Sequence, residues 1–181
     1  KNELSFEPIV AINENSAKPH SFVSEKLLQN GDLLLLDAGL KYKRYCSDRT
    51  RTISINGDIS VSKIQKFKDK EQQKIYDIVL KAQEEAIKNI KVGMKINQLD
   101  KIARDIITKE GYGKYFVHSL GHGVGLDIHE YPYVNSKNET KNTTTNVTTH
   151  VNREQLYYRN FREIKSIGKL LGITNKEQIL S

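Results

Sequence analysis

The sequence predicts an α+β fold, and three observations predict it. β-prone segments crowd into residues 1–58, two helical periodicities follow over 59–113, and residues 114–134 are rich in glycine and histidine. Strands grouped ahead of helices, instead of alternating with them, argue for segregated layers. The composition bounds what such a fold can be. The chain has 181 residues, a formal net charge of +7, 37% apolar residues and a single cysteine, Cys46. A lone cysteine excludes a disulfide scaffold, and the longest strong apolar run, Leu33–Leu36, is far too short to span a bilayer. Nothing at the start reads as a secretion signal, so the expected location is cytoplasmic. The chain opens on Lys1 with no methionine, which points to missing upstream sequence. The basic balance admits a nucleic acid or an anionic membrane surface as partner. The lysines, however, are scattered, and no aromatic residues interleave with them, so the charge reads as a solvated surface with neither partner.

The elements follow in order. Pro8-Ile9-Val10-Ala11-Ile12 is a short apolar stretch running into polar Asn13–Ser16, a strand entering a loop. Asn30-Gly31-Asp32 is a turn signal, and four leucines from Leu33 to Leu36 then read as a strand buried on both faces. Ala38-Gly39 breaks it. Tyr42, Tyr45, Thr50, Thr52, Ile53 and Ile55 mark further strands up to the Asn56-Gly57 turn. The period then changes. Ile75, Val79, Ala82, Ala86 and Ile90 lie on one face of an amphipathic helix, with Gly93 at its expected C-terminal cap. Leu99, Ile102, Ala103, Ile106 and Ile107 form the inward face of a second helix closing at Gly111 and Gly113. Both helices read as scaffold, since nothing reactive falls on their apolar faces. Residues 135–152 are mostly Thr and Asn, low complexity that rarely packs into a core. Residues 153–181 are charged, with Ile164, Ile167, Leu170 and Leu171 spaced for one face of a helical tail.

Two clusters carry the chemistry. Asp37 directly ends the four-leucine strand. A buried carboxylate needs a cation, a metal or hydrogen bonds, although an Asp there also serves simply to cap the turn at Gly39. Asp48 follows eleven residues later, with Arg49 and Arg51 as ready salt-bridge partners. If residues 40–55 fold back beside the leucine strand, both carboxylates point into one site that attracts a divalent ion. The second cluster is Phe116-Val117-His118-Ser119-Leu120-Gly121-His122-Gly123-Val124-Gly125-Leu126-Asp127-Ile128-His129-Glu130. Its glycines argue against a helix, so His118 and His122 are not the paired ligands of a helical zinc motif. They suggest an irregular loop whose backbone approaches a ligand closely. Neutral imidazole there can ligate a transition metal or donate a proton, and ordinary surface or core histidines fit the segment alone equally well.

Together, Leu36-Asp37-Ala38-Gly39, Asp48-Arg49-Thr50-Arg51-Thr52 and the His118–Glu130 segment resemble the catalytic domain of aminopeptidase P and Xaa-Pro dipeptidases, relatives of methionine aminopeptidase. Phe6–Val10 and Asn15–His20 match the approach to that site. The resemblance covers residues 3–134 and implies a pita-bread fold: a curved antiparallel sheet with helices on one face, incomplete at its C-terminal end. It implies that Asp37 and Asp48 are ligands of a dinuclear metal centre, Asp48 bridging, with His122 on one ion. His20, His118 and His129 match positions that hold the peptide or stabilise its tetrahedral intermediate. Two divalent ions, manganese or cobalt, would share a hydroxide that attacks the carbonyl before proline. The implied partners are short peptides with proline at the second position, and a homo-oligomer is compatible with the resemblance.

The chain also departs from this pattern. Two further glutamate ligands, expected in a Glu-Pro-Gly and an Arg-Ile-Glu-Asp segment, have no counterpart here, and Glu139, Glu154, Glu163 and Glu177 lack the context. Residues 1–134 therefore read as a partial metallopeptidase domain, followed by the 135–152 segment and the 153–181 tail. A frame change or divergence after Val134 accounts for both. Two alternatives stand beside a peptidase: a non-catalytic peptide-binding relative of the same fold, and a basic nucleic-acid-binding protein.

Overall fold

The computed structural model describes residues 3–17, 25–57, 59–62 and 64–141. The expected order of strands and then helices is what it shows, and a short hairpin follows them. β1 (Glu3–Leu4) and β2 (Ile9–Ile12) lead into a short 3-10 helix at Asn13–Ala17. β3 (Leu33–Ala38), β4 (Leu40–Tyr42), β5 (Tyr45–Cys46) and β6 (Arg49–Ser54) follow, then α1 (Lys70–Asn89) and α2 (Ile96–Lys109). A last pair, β7 (Gly121–Gly123) and β8 (Glu130–Val134), closes the described chain.

All three sheets are antiparallel: β1-β4-β5, β2-β3-β6 and β7-β8. Residues 40–55 do fold back on the leucine strand. β6 pairs with β3 along its whole length, from Leu33 opposite Ser54 to Ala38 opposite Arg49. Side chains alternate across a strand, so the leucines divide between two faces. Leu33 joins the core built by the helices, whereas Leu34 packs with Ile53 and Ile55 in a smaller cluster on the opposite face. That two-sided burial is why the strand is a continuous apolar run.

The helices pack through small residues. Ala82 and Ala86 of α1 and Ala103 of α2 are fully buried, which lets the two backbones approach, with Ile75, Val79, Leu99 and Ile107 filling the seam. Asp69 caps α1, its carboxylate accepting the Gln72 amide at 2.8 Å. The expected cap at Gly93 is displaced: α1 stops at Asn89 with Ile90 in extended conformation, and Gly93, at φ +81°, shapes the turn beyond. α2 does end as expected, on Gly111 at φ +89°, a left-handed position that suits a residue without Cβ. Its start is unusual, because Lys95 offers no capping oxygen. The carbonyls of Asn138 and Thr140 instead accept the Asn97 and Ile96 amides at 2.8 and 3.0 Å. Residues 135–141 thus fold onto α2, while residues 142–181, which hold the rest of the low-complexity segment and the helical tail, lie outside the described residues.

Candidate metal centre

Asp48, Thr50 and Thr52 follow the two-residue period of β6 and are all buried. Thr50 stands directly across from Asp37 in the β3–β6 register, and its hydroxyl donates to Asp37 Oδ1 at 2.7 Å. Asp37 is 1% exposed and Asp48 8%. The pairing of two antiparallel strands therefore brings both expected carboxylates to one sheet face, at the end of the sheet beyond the leucines. The two passes of chain lie close together: a Cβ on Gly39 would lie 1.9 Å from the Ser47 carbonyl oxygen, so only glycine fits where β3 passes into β4.

The histidine segment reaches this face from the other side. The sequence suggested an irregular loop, but Gly121–Gly123 forms a strand with a register shift between His122 and Gly123. The glycines serve that close pairing: a Cβ on Gly123 would meet the Tyr131 and Glu130 carbonyl oxygens at 2.4 and 2.7 Å. The Cys46 amide donates to the Gly125 carbonyl at 2.7 Å, tying this hairpin to β5. His122, 8% exposed, then comes within reach of the carboxylates, its Nε2 3.5 Å from Asp48 Oδ2.

The ring orientation of His122 fixes the chemistry of that contact. Nδ1 lies 2.9 Å from the Gly123 carbonyl, which only accepts, so Nδ1–H donates to it. In the neutral ring Nε2 then presents its lone pair toward Asp48. Two acceptors facing each other in a buried place call for a cation, either a proton on Nε2 or a metal ion between them. Ligands each about 2.1 Å from one ion stand roughly 3.0–3.4 Å apart, close to the spacing found here. A backbone carbonyl accepting from the other ring nitrogen is also the usual orientation of a metal-binding histidine. The donor chemistry therefore fits a divalent ion. The donor number is smaller: among the described residues, no group of three or more His, Cys, Asp and Glu side chains is arranged to hold one.

His129 is exposed, and its ring packs 4.4 Å from that of His122. His118 lies on the loop entering β7, with Nδ1–H donating to the Ser119 carbonyl at 2.8 Å and its ring edge-on to Phe116. His20 lies outside the described residues. Three residues that matter here were not singled out from the sequence. Thr50, which the sequence gives no role of its own, holds Asp37. Asp100 and Arg104, on a helix read as pure scaffold, grip the His118 loop. The (i, i+4) spacing of an acid and an arginine was the available signal.

Residues 1–166 match the profile of metallopeptidase family M24. The chain belongs to that family. An uncharacterized peptidase of Staphylococcus epidermidis is 46% identical to this M24 chain over 140 residues, covering 77% of the chain and 37% of the relative. An Xaa-Pro dipeptidase of Pyrococcus furiosus is 45% identical over 136 residues, 75% of the chain and 36% of the relative. The crystal structure of the Pyrococcus furiosus prolidase superposes with a TM-score of 0.67, over 76% of this chain and 38% of that one. The fold is thus the pita-bread fold of the prolidases. The M24 chain spans between a third and two-fifths of the length of the curated relatives it matches. No helix among its described residues is long and apolar enough to cross a membrane.

Proposed function

We propose that the M24 chain carries the chemistry of an Xaa-Pro peptidase, hydrolysing the bond between an N-terminal residue and proline in short peptides. The observation that supports this most is the buried Asp48–His122 contact, whose facing acceptors suit a divalent cation. Asp37, Asp48 and His122 would hold manganese or cobalt, and the full family complement is two ions. When bound, such an ion supplies Lewis acidity for the attacking water and the peptide carbonyl. This chain's own residues do the rest. Thr50 keeps Asp37 oriented, Gly123 fixes the His122 tautomer, and His20, His118 and His129 would line the peptide side. We assign the chain to the cytoplasm, where Cys46 stays reduced, and an association of identical chains is compatible with this reading.

The test is hydrolysis of an Xaa-Pro dipeptide by the purified chain with added manganese or cobalt. Turnover abolished in Asp48→Ala supports the proposal, and absence of turnover at every metal concentration contradicts it. A second reading, a peptide-binding relative without hydrolysis, is favoured by the donor number among the described residues. It predicts peptide binding that is indifferent to chelators.

A further inference from the structure

The inward face of α2 holds a charge that packing does not require. Asp100 is 0% exposed, and both its oxygens are engaged. Oδ2 accepts Arg104 Nε at 2.7 Å, and Oδ1 accepts Arg104 Nη2 at 3.0 Å and the Leu120 amide at 3.2 Å. The same guanidinium reaches onward. Nη1 donates to the Phe116 carbonyl at 2.6 Å and Nη2 to the His118 carbonyl at 3.0 Å, while its plane lies 4.1 Å from the Phe116 ring centre. One ion pair, its carboxylate fully buried and its guanidinium partly so, thus holds the backbone at residues 116, 118 and 120, on both sides of His118.

A buried ion pair is weak evidence for stability, because apolar residues of similar volume commonly serve as well. What a rigid fork adds is geometry. A guanidinium presents several donors in one plane, so a single side chain can fix a carboxylate and two carbonyls together, as a flexible ammonium cannot. Phe116, clamped on one face by Arg104, in turn meets the edge of the His118 ring at 5.1 Å. The loop has no helix or sheet ladder of its own between Gly113–Tyr115 and β7, so this clamp supplies its order.

We propose that Asp100 and Arg104 are positioning residues that set the backbone and ring orientation of His118. For catalysis this rests on the functional reading above, in which His118 lines the peptide site. The structural part stands without it. The experiment labels the histidine rings with nitrogen-15 and compares long-range ring correlations across variants, with thermal unfolding measured beside them. Unmodified chain should show His118 in a single Nδ1–H tautomer. The apolar pair Asp100→Leu with Arg104→Met should fold within a few degrees of the original Tm, yet show His118 averaged between tautomers while His129 is unchanged. Should that double variant not fold, Arg104→Lys, which keeps the charge, decides the matter and should also perturb His118. A folded variant of either kind with His118 signals identical to the unmodified chain overturns the proposal. If the unmodified chain turns over an Xaa-Pro dipeptide, kcat/KM should fall about a hundredfold in the same variants. If it turns over none, the functional reading fails while the ring signals still decide this one.

Discussion

At the scale of single residues, the site depends on which atoms already have partners and which lone pairs face each other. Thr50 gives its hydroxyl to Asp37, so Thr50→Val removes a donor from a buried carboxylate at nearly constant shape. The expected cost is about 1–3 kcal/mol in denaturant unfolding, against little change for Thr→Val at an exposed strand position. Little of this is legible in sequence. Asp37 and Asp48 stand out because carboxylates interrupt β-prone runs, but their convergence depends on a strand pairing that spacing alone does not set. Adjacency offers Arg49 and Arg51 as partners for Asp48. The structure brings Asp48 within 3.5 Å of His122, far along the chain, a contact only folding can reveal.

At the scale of elements, glycines report how closely two backbones pass, and they differ in what would yield. At Gly123 the atoms in the way are backbone carbonyls of β8, whereas at Gly125 they belong to the Glu130 carboxylate, which can swing aside. Gly123→Ala should therefore destabilise by about 1–3 kcal/mol, and Gly125→Ala by well under half of that. Comparing their Tm values checks the contrast. A second link joins the start of α1 to the turn that follows α2. The Tyr112 hydroxyl donates to Glu71, and that hydrogen bond, helped by burial and the nearby negative charge, raises the Tyr112 pKa to about 12. An unfolded tyrosine titrates near 10, so the contribution is complete below that pH and is lost as pH rises toward 12. Stability followed by circular dichroism should fall across that interval, and Tyr112→Phe should flatten the fall. The helices themselves were legible, since apolar periodicity suffices to place them. The β4–β5 turn was not. Lys43 and Arg44 both take positive φ, 47° and 75°, in a two-residue hairpin loop that lacks the Asn-Gly or Asp-Gly signature of such turns.

At the scale of the whole molecule, sheet, helices and hairpin would each contribute one part of the proposed site. β3 and the residue before β6 carry Asp37 and Asp48, the β7–β8 hairpin brings His122 to Asp48, and α2 holds the His118 loop. The α+β class was readable from the grouping of strands ahead of helices, and the M24 relationship from motifs in the correct order. Length was informative too, since the chain spans between a third and two-fifths of its curated relatives. The role proposed for α2 is not legible in its sequence, because an apolar stripe gives no sign that Asp100 beside it is buried and paired. The reading rests on Asp48 and His122 facing each other across a proposed cation site. Titration of the chain with manganese(II), with free ion followed by electron paramagnetic resonance, tests it most directly. The expected result is saturable binding in the unmodified chain, weakened about a hundredfold or more in folded Asp48→Asn and His122→Ala. No binding by the unmodified chain, or equal binding by all three, would contradict it.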